Sequence, residues 1–203
     1  MSLLNHEAIL EEMDKENITI SAFDLNRLGS NSYDVRLGNW FYEVIYGPDG
    51  GPWYIGPQWY KKGHRVVVPN GGTLLAMTME VIGTFGSTVG LMKARSSTRR
   101  RAVTVCDCAG LGDSGYHNHW TMELSGHSRL YSPSVTVGQR IGQIAFFRME
   151  SETKKQYQGQ FSISDWPLCM VPEDDRNRII ASEDEIWKAV KYEAETSEKG
   201  EGP

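Results

Sequence analysis

The stretch AVTVCDCAGLGDSGYHNHWTMEL, residues 102–124, reads as two short β-strands around a glycine-rich turn. Ala102-Val-Thr-Val-Cys106 and Trp120-Thr-Met-Glu-Leu124 are rich in β-formers, and Ala109-Gly-Leu-Gly-Asp-Ser-Gly-Tyr116 between them carries turn residues. The same grammar runs outward in both directions. Tyr33–Leu37, Phe41–Ile45, Arg65–Pro69 and Thr73–Met77 precede it, and Gln143–Phe147 follows. Gly, Pro, Asn and Asp punctuate these runs at regular intervals from residue 32 to about 150. Many short strands at such spacing predict a mainly β chain, a sandwich, jelly roll or barrel rather than alternating β/α units.

The ends read differently. Asn5 is placed to cap a helix whose stripe is Ile9, Leu10 and Met13, with Asn17 as its stop and Ile18-Thr-Ile20 as a strand. Gly47–Gly63 holds five glycines, three prolines and two tryptophans and reads as a hairpin excursion. Its aromatics either cover a neighbouring segment or subunit, or pack on themselves. Ser182-Glu-Asp-Glu185 is a capping box opening a second, acidic helix, and Ser197–Pro203 reads as frayed tail. This gives a domain over 1–165 and a C-terminal extension over 166–203.

Composition sets outer bounds. The chain has 203 residues, 39% hydrophobic and 23% charged, with a net charge of −5, which excludes disordered and fibrous classes. No apolar run approaches a membrane span, and the acidic start lacks the basic region of a signal peptide. Three cysteines are too few for a disulfide framework, so a reducing, cytoplasmic setting is expected. The balance argues against a nucleic-acid polymer as partner. Seven acids against three lysines from Ser182 onward leave the rest of the chain at −1. Inside that near-neutral body lies a basic knot, Lys93, Arg95, Arg99, Arg100 and Arg101. It reads either as a solvated face or as a site for a small anionic ligand.

Within the knot, Arg95-Ser-Ser97 brings two hydroxyls beside guanidinium groups, which suits phosphate oxygens. The turn 109–116 either lets a small ring approach the backbone or is a tight turn whose Asp113 caps itself. On simple alternation Glu123 shares a strand face with Thr121, and Trp120, Met122 and Leu124 point the other way. Cys106-Asp-Cys108 with His117-Asn-His119 can be drawn as a zinc site. No zinc is expected, because the zinc-deaminase signature is absent.

Seven motifs in order resemble the deoxycytidine triphosphate (dCTP) deaminase family of the trimeric dUTPase superfamily. Ser32-Tyr-Asp-Val-Arg-Leu-Gly38 is similar to SYDLRLG, Leu75–Glu80 to LAxTxE, and Ala94-Arg-Ser-Ser97 to GRSS. Ala109–Tyr116 is similar to AGxIDxGY, Met122-Glu-Leu124 to the segment with the family's catalytic glutamate, Gly138–Gln143 to PGxxIGQ, and Tyr157–Gln160 to KYQGQ. The resemblance implies a dUTPase-like distorted β-barrel or jelly roll, with the N-terminal helix and a C-terminal helical appendage added. It implies Glu123 as proton shuttle, with Ser96, Arg100 and the Ala109 carbonyl placing the attacking water. Arg95, Ser97 and Gln143 would also face triphosphate or base. Asp113 would lie near the deoxyribose and assist a hydrolytic water, Tyr116 would reject a ribose, and Tyr157 and Gln160 would close over phosphates. A homotrimer with sites between subunits is implied, with Mg2+ carried on the nucleotide phosphates and no metal held by the protein itself.

The expected activity is therefore hydrolytic deamination of dCTP. Ala109-Gly110 leans towards members that also cleave the triphosphate, giving dUMP, ammonia and diphosphate; dUTP as product stays open. The alternatives are a dUTP diphosphatase and a non-catalytic nucleotide-binding regulator. Departures from the pattern are Ala94 for Gly, Gly112 for Ile, Ser114 for Pro or Ala, Asn118 for Gly, Cys106 for a frequent His, and Gln156 for Lys. The bases of choice are plain or modified cytosine.

Overall fold

The computed structural model describes residues 1–162 and 167–180. The acidic helix expected from Ser182 and the tail from Ser197 lie outside the described residues. In chain order the elements are β1 (Ser2–Leu3), α1 (His6–Asp14), β2 (Ile18–Ile20), β3 (Tyr33–Tyr46), β4 (Pro52–Trp59), β5 (Arg65–Val67), β6 (Thr73–Thr84) and β7 (Thr88–Ala94). Then come α2 (Ser96–Arg99), β8 (Val103–Val105), β9 (Leu111–Gly112), β10 (His117–Gly126), β11 (Ser134–Thr136), β12 (Arg140–Arg148) and β13 (Ile179–Ile180).

The main sheet has the order β8-β10-β6-β3-β12-β7-β9, with β1 on β12, β2 on β6 and β4 on β3; β5 and β11 pair separately. It curls into a half-barrel. The strand β3 makes the curl. Its start, Tyr33–Arg36, pairs with β12, and its second half, Phe41–Val44, pairs with β6. The sequence reads two strands here because Gly38 and Asn39 look like punctuation. Instead the strand runs through, with an irregular register between Leu37 and Phe41. Gly38 serves a close approach: a β-carbon there would lie 2.5 Å from Met77 Cγ.

Inside the curl, Ile9, Tyr33, Val35, Leu37, Ile82, Met92, Met122, Ile144 and Phe146 form one buried cluster. Each such side chain contributes about 1.5–3 kcal/mol when fully buried. Asn5 caps α1 by accepting the Ala8 N–H at 3.0 Å, and Ile9 is buried while Leu10 and Met13 are partly so. Beside this core Glu80 is fully buried between Arg27 and Arg36, and its second oxygen accepts the Arg36 N–H at 2.9 Å. Removing either partner from such a group leaves a buried charge uncompensated.

A second cluster forms under the hairpin: Trp40, Tyr42, Tyr54, Leu75, Met77, Met170 and Val171. Thus the aromatics of 47–63 do cover a neighbour, and it is the chain's own segment 167–180. Ile179 and Ile180 of β13 pair in parallel with Tyr54 and Ile55 of β4. The Tyr54 hydroxyl donates to Asp175 at 3.1 Å, and Arg178 pairs with Asp49 at 2.8 Å. Burial, then the Asp175 carboxylate, push the Tyr54 hydroxyl up to about 12, so it stays a donor.

Candidate active site

A cavity of about 570 Å³ lies against β10, β6, β3 and β4. Across its floor Glu123 sits opposite Leu75, Thr73 opposite Val44, and Val44 opposite Tyr54. Its end wall is the turn after β9. The β9 pairing puts Gly112 opposite Gly90 of β7. Gly115 turns the chain back at φ +95°, and a β-carbon there would crowd Tyr157 N and Gln156. The Ser114 carbonyl accepts the Tyr157 N–H at 2.8 Å, which docks the 156–157 segment on the turn. The Tyr157 ring then lies 5.7 Å from that of Tyr116. Tyr116 donates its hydroxyl to the His119 carbonyl at 2.6 Å and meets Trp120 edge-on, at 5.5 Å and 80°. Burial raises the Tyr116 hydroxyl well above its ordinary range, so it is neutral.

The alternation expected for β10 holds in its burial: Trp120, Met122 and Leu124 are buried in the core, and Thr121 and Glu123 are partly exposed. The register shifts between His119 and Thr121, and the Trp120 N–H turns to Thr78 Oγ1 at 2.8 Å. From the core, the Trp120 ring also reaches the cavity that Thr121 and Glu123 line. Its indole fills the space that a side chain at Gly112 or Gly90 would need. Short-range alternation carries no sign of a bulge.

Glu123 is half-buried, not a solvent-facing strand residue. Its Oε2 is buried and has no hydrogen-bond partner among the described residues. Burial raises its carboxyl above the usual range; the Cys106 thiol beside it partly offsets this. Cys106, at φ +47°, donates its N–H to the Glu123 carbonyl at 3.0 Å. Burial and then the Glu123 charge push the Cys106 thiol up to about 12. Cys106 is buried and Cys108 exposed, so the two do not share a face as a zinc reading requires. Among the described residues no group of three or more His, Cys, Asp or Glu lies together to hold a metal.

Of the residues singled out in the sequence, Glu123, Ala109, Asp113, Tyr116 and Tyr157 line this cavity. Arg95 and Ser97 line a second one of about 220 Å³ with Arg101 and Arg140. There Asp34 accepts from Arg95 Nε at 3.0 Å and from Arg140 at 3.2 Å. Ser96 and Arg100 are exposed on and just after the short helix α2, which Thr98 anchors by donating its hydroxyl to the Ile141 carbonyl at 2.8 Å. Gln143 sits mid-strand in β12 between Asp34 and Lys93. Gln160 spans the 167–180 segment: its Nε2 donates to the Val171 carbonyl at 3.1 Å and its Oε1 accepts the Glu173 N–H at 2.8 Å. Sequence reasoning missed the far wall, Tyr54, Met170 and Pro172. The apolar run Leu168-Cys-Met-Val171 in a charged region was the signal for it.

The structure is thus a curled β half-barrel in which a half-buried carboxylate faces a cavity. The chain belongs to the dCTP deaminase-like family, whose model matches residues 3–149. The dUMP-forming dCTP deaminase of Acidothermus cellulolyticus is 30% identical over 162 residues, covering 76% of this chain and 84% of that protein. That of Clavibacter michiganensis is 28% identical over 162 residues, covering 76% and 80%. The solved 2'-deoxycytidine 5'-triphosphate deaminase of Agrobacterium tumefaciens superposes with a TM-score of 0.53 at 18% identity, over 71% of this chain and 47% of that one. That likeness shows the fold. Among the described residues no helix is long and apolar enough to cross a membrane.

Proposed function

We propose that this protein hydrolytically deaminates dCTP and then cleaves the triphosphate, yielding dUMP, ammonia and diphosphate. The observation that carries the reading is the Glu123 carboxylate, with an unpaired buried oxygen, facing a cavity it shares with Ala109, Asp113 and Tyr116. A half-desolvated carboxylate is a stronger base than one in water. Glu123 takes a proton from water, and the hydroxide adds to the amine-bearing ring carbon. The protonated Glu123 returns that proton to the amine, the carbon–nitrogen bond breaks, and ammonia leaves a uracil ring. A second water, assisted by Asp113, displaces diphosphate from the α-phosphate. The dUMP-forming relatives and the Ala109-Gly110 pair support this second step.

The separation of the two cavities supports a homotrimer. On one chain, Glu123 and Tyr116 line one cavity and the Arg95–Ser97 stretch another. A head-to-tail ring joins one subunit's basic cavity to the next subunit's carboxylate cavity and completes a site. Ser96, Arg100 and Gln143 act from that basic side, and Tyr157 and Gln160 order the chain around the carboxylate cavity, where they close over the phosphates. Mg2+ enters with the triphosphate as part of the substrate, and the setting is the cytoplasm.

The test is incubation with dCTP and, separately, dUTP in the presence of Mg2+, following ammonia and diphosphate. Both products from dCTP are expected. Turnover of dUTP alone, without ammonia from dCTP, overturns the reading in favour of a dUTP diphosphatase. Binding without any turnover favours a regulator.

A further inference from the structure

The cavity continues well past Glu123, away from the turn at Asp113 and Tyr116. Its floor crosses β10, β6, β3 and β4 through Glu123, Leu75, Val44 and Tyr54. Three strand spacings make that path about 14 Å long, more than a pyrimidine ring covers. The segment 167–180 roofs the far half with Met170 and Pro172. That region carries hydroxyls on Tyr46, Thr73 and Tyr54, the last already committed to Asp175, and no cationic side chain lines the cavity among the described residues. A triphosphate does not enter such surroundings, because burying its charge without partners is prohibitive. The far half therefore faces the base.

We infer that the far half is a specificity subsite for an alkyl group on carbon 5 of the cytosine, so that 5-alkylated deoxycytidine triphosphates are the preferred substrates. The inference rests on the deaminase reading given above. With the sugar beside Tyr116 and the amine-bearing carbon at Glu123, the ring edge that leads onward carries carbons 4 and 5. Carbon 4 holds the leaving amine. A substituent on carbon 5 is then the part of the substrate that reaches Leu75, Val44, Met170 and Pro172. Without one, that apolar surface keeps its water, and the binding energy of covering it is not used.

The experiment compares kcat/KM for dCTP and 5-methyl-dCTP by ammonia release. The methylated substrate is expected to be preferred about 10-fold, the usual worth of one methyl group in an apolar pocket. Val44→Phe and, separately, Pro172→Trp fill the far half from floor and roof. Either is expected to bring the ratio to one or below, with Tm measured to confirm folding. If wild type turns over dCTP as well as or better than 5-methyl-dCTP, the subsite is overturned while the deaminase reading stands. A preference that survives in both folded variants overturns it too. If neither substrate releases ammonia, the deaminase reading falls and the subsite with it.

Discussion

The Trp120 indole occupies the volume that a side chain at Gly112 would take: a β-carbon built on Gly112 falls within van der Waals contact of the ring. The motif that this turn resembles has Ile at this position, and here the Trp120 ring, from β10, fills that space instead. Gly112→Ile is expected to cost at least about 1–3 kcal/mol through overpacking. The double variant Gly112→Ile, Trp120→Val is expected to recover most of that loss. Thermal unfolding of the two singles and the double, read as a cycle, checks it.

Glu123→Gln separates chemistry from binding. Ammonia release is expected to fall at least ~100-fold, the ordinary worth of a positioned general base, with nucleotide binding kept. In wild type the ionised carboxylate is the active form. Since burial raises its pKa, the acid limb of kcat/KM lies above the ~4.3 of a free glutamate. The same burial makes ionised Glu123 a destabilising group above its folded pKa. Glu123→Gln is therefore expected to keep or raise Tm at pH 8, and the difference closes as pH falls through that pKa.

Glu12 is the opposite case. Burial alone would raise its carboxyl, but hydrogen bonds from Asn17, Lys15 and Arg148 outweigh it and hold the pKa below the ordinary 4.5. Its stabilisation is present above the unfolded value and is lost as pH falls through the lowered folded one. Glu12→Gln is expected to cost about 1–3 kcal/mol at pH 7 and to flatten the decline of stability below pH ~4. Denaturant titrations at a series of pH values read both effects.

The three cysteines differ in access. Cys108 is exposed; Cys106 and Cys169 are buried, and the Cys106 thiol is protonated throughout the physiological range. Brief treatment of the native protein with iodoacetamide at pH 8 is expected to alkylate Cys108 alone, and treatment in guanidinium all three. Peptide mass spectrometry identifies the sites.

The strand pattern was legible because alternating β-formers and turn residues act locally. Asn5 capping α1 and the Gly115 turn came through for the same reason. What escaped depends on partners distant in the chain. Gly38 looked like a break until Met77 was seen to need its missing β-carbon. The alternation of Trp120, Met122 and Leu124 against Thr121 and Glu123 was legible, but the irregular register that Thr78 makes beside Trp120 was not. The grouping of Glu123 with Asp113, Tyr116 and Tyr157 followed the motif order. The wall from Tyr54 and Met170 did not, since two excursions far apart in sequence meet there.

That meeting has a bearing on how the protein is made. The Tyr54–Asp175 bond closes a loop of 121 residues, and β13 joins β4 from slightly farther along the chain. On a ribosome the half-barrel strands through β12 emerge before residues 167–180. The nascent chain thus presents Trp40, Tyr42 and Tyr54 without this cover until residues 167–180 have emerged, a window in which such surfaces invite aggregation. That later segment supplies the cover, and with it the far wall of the cavity.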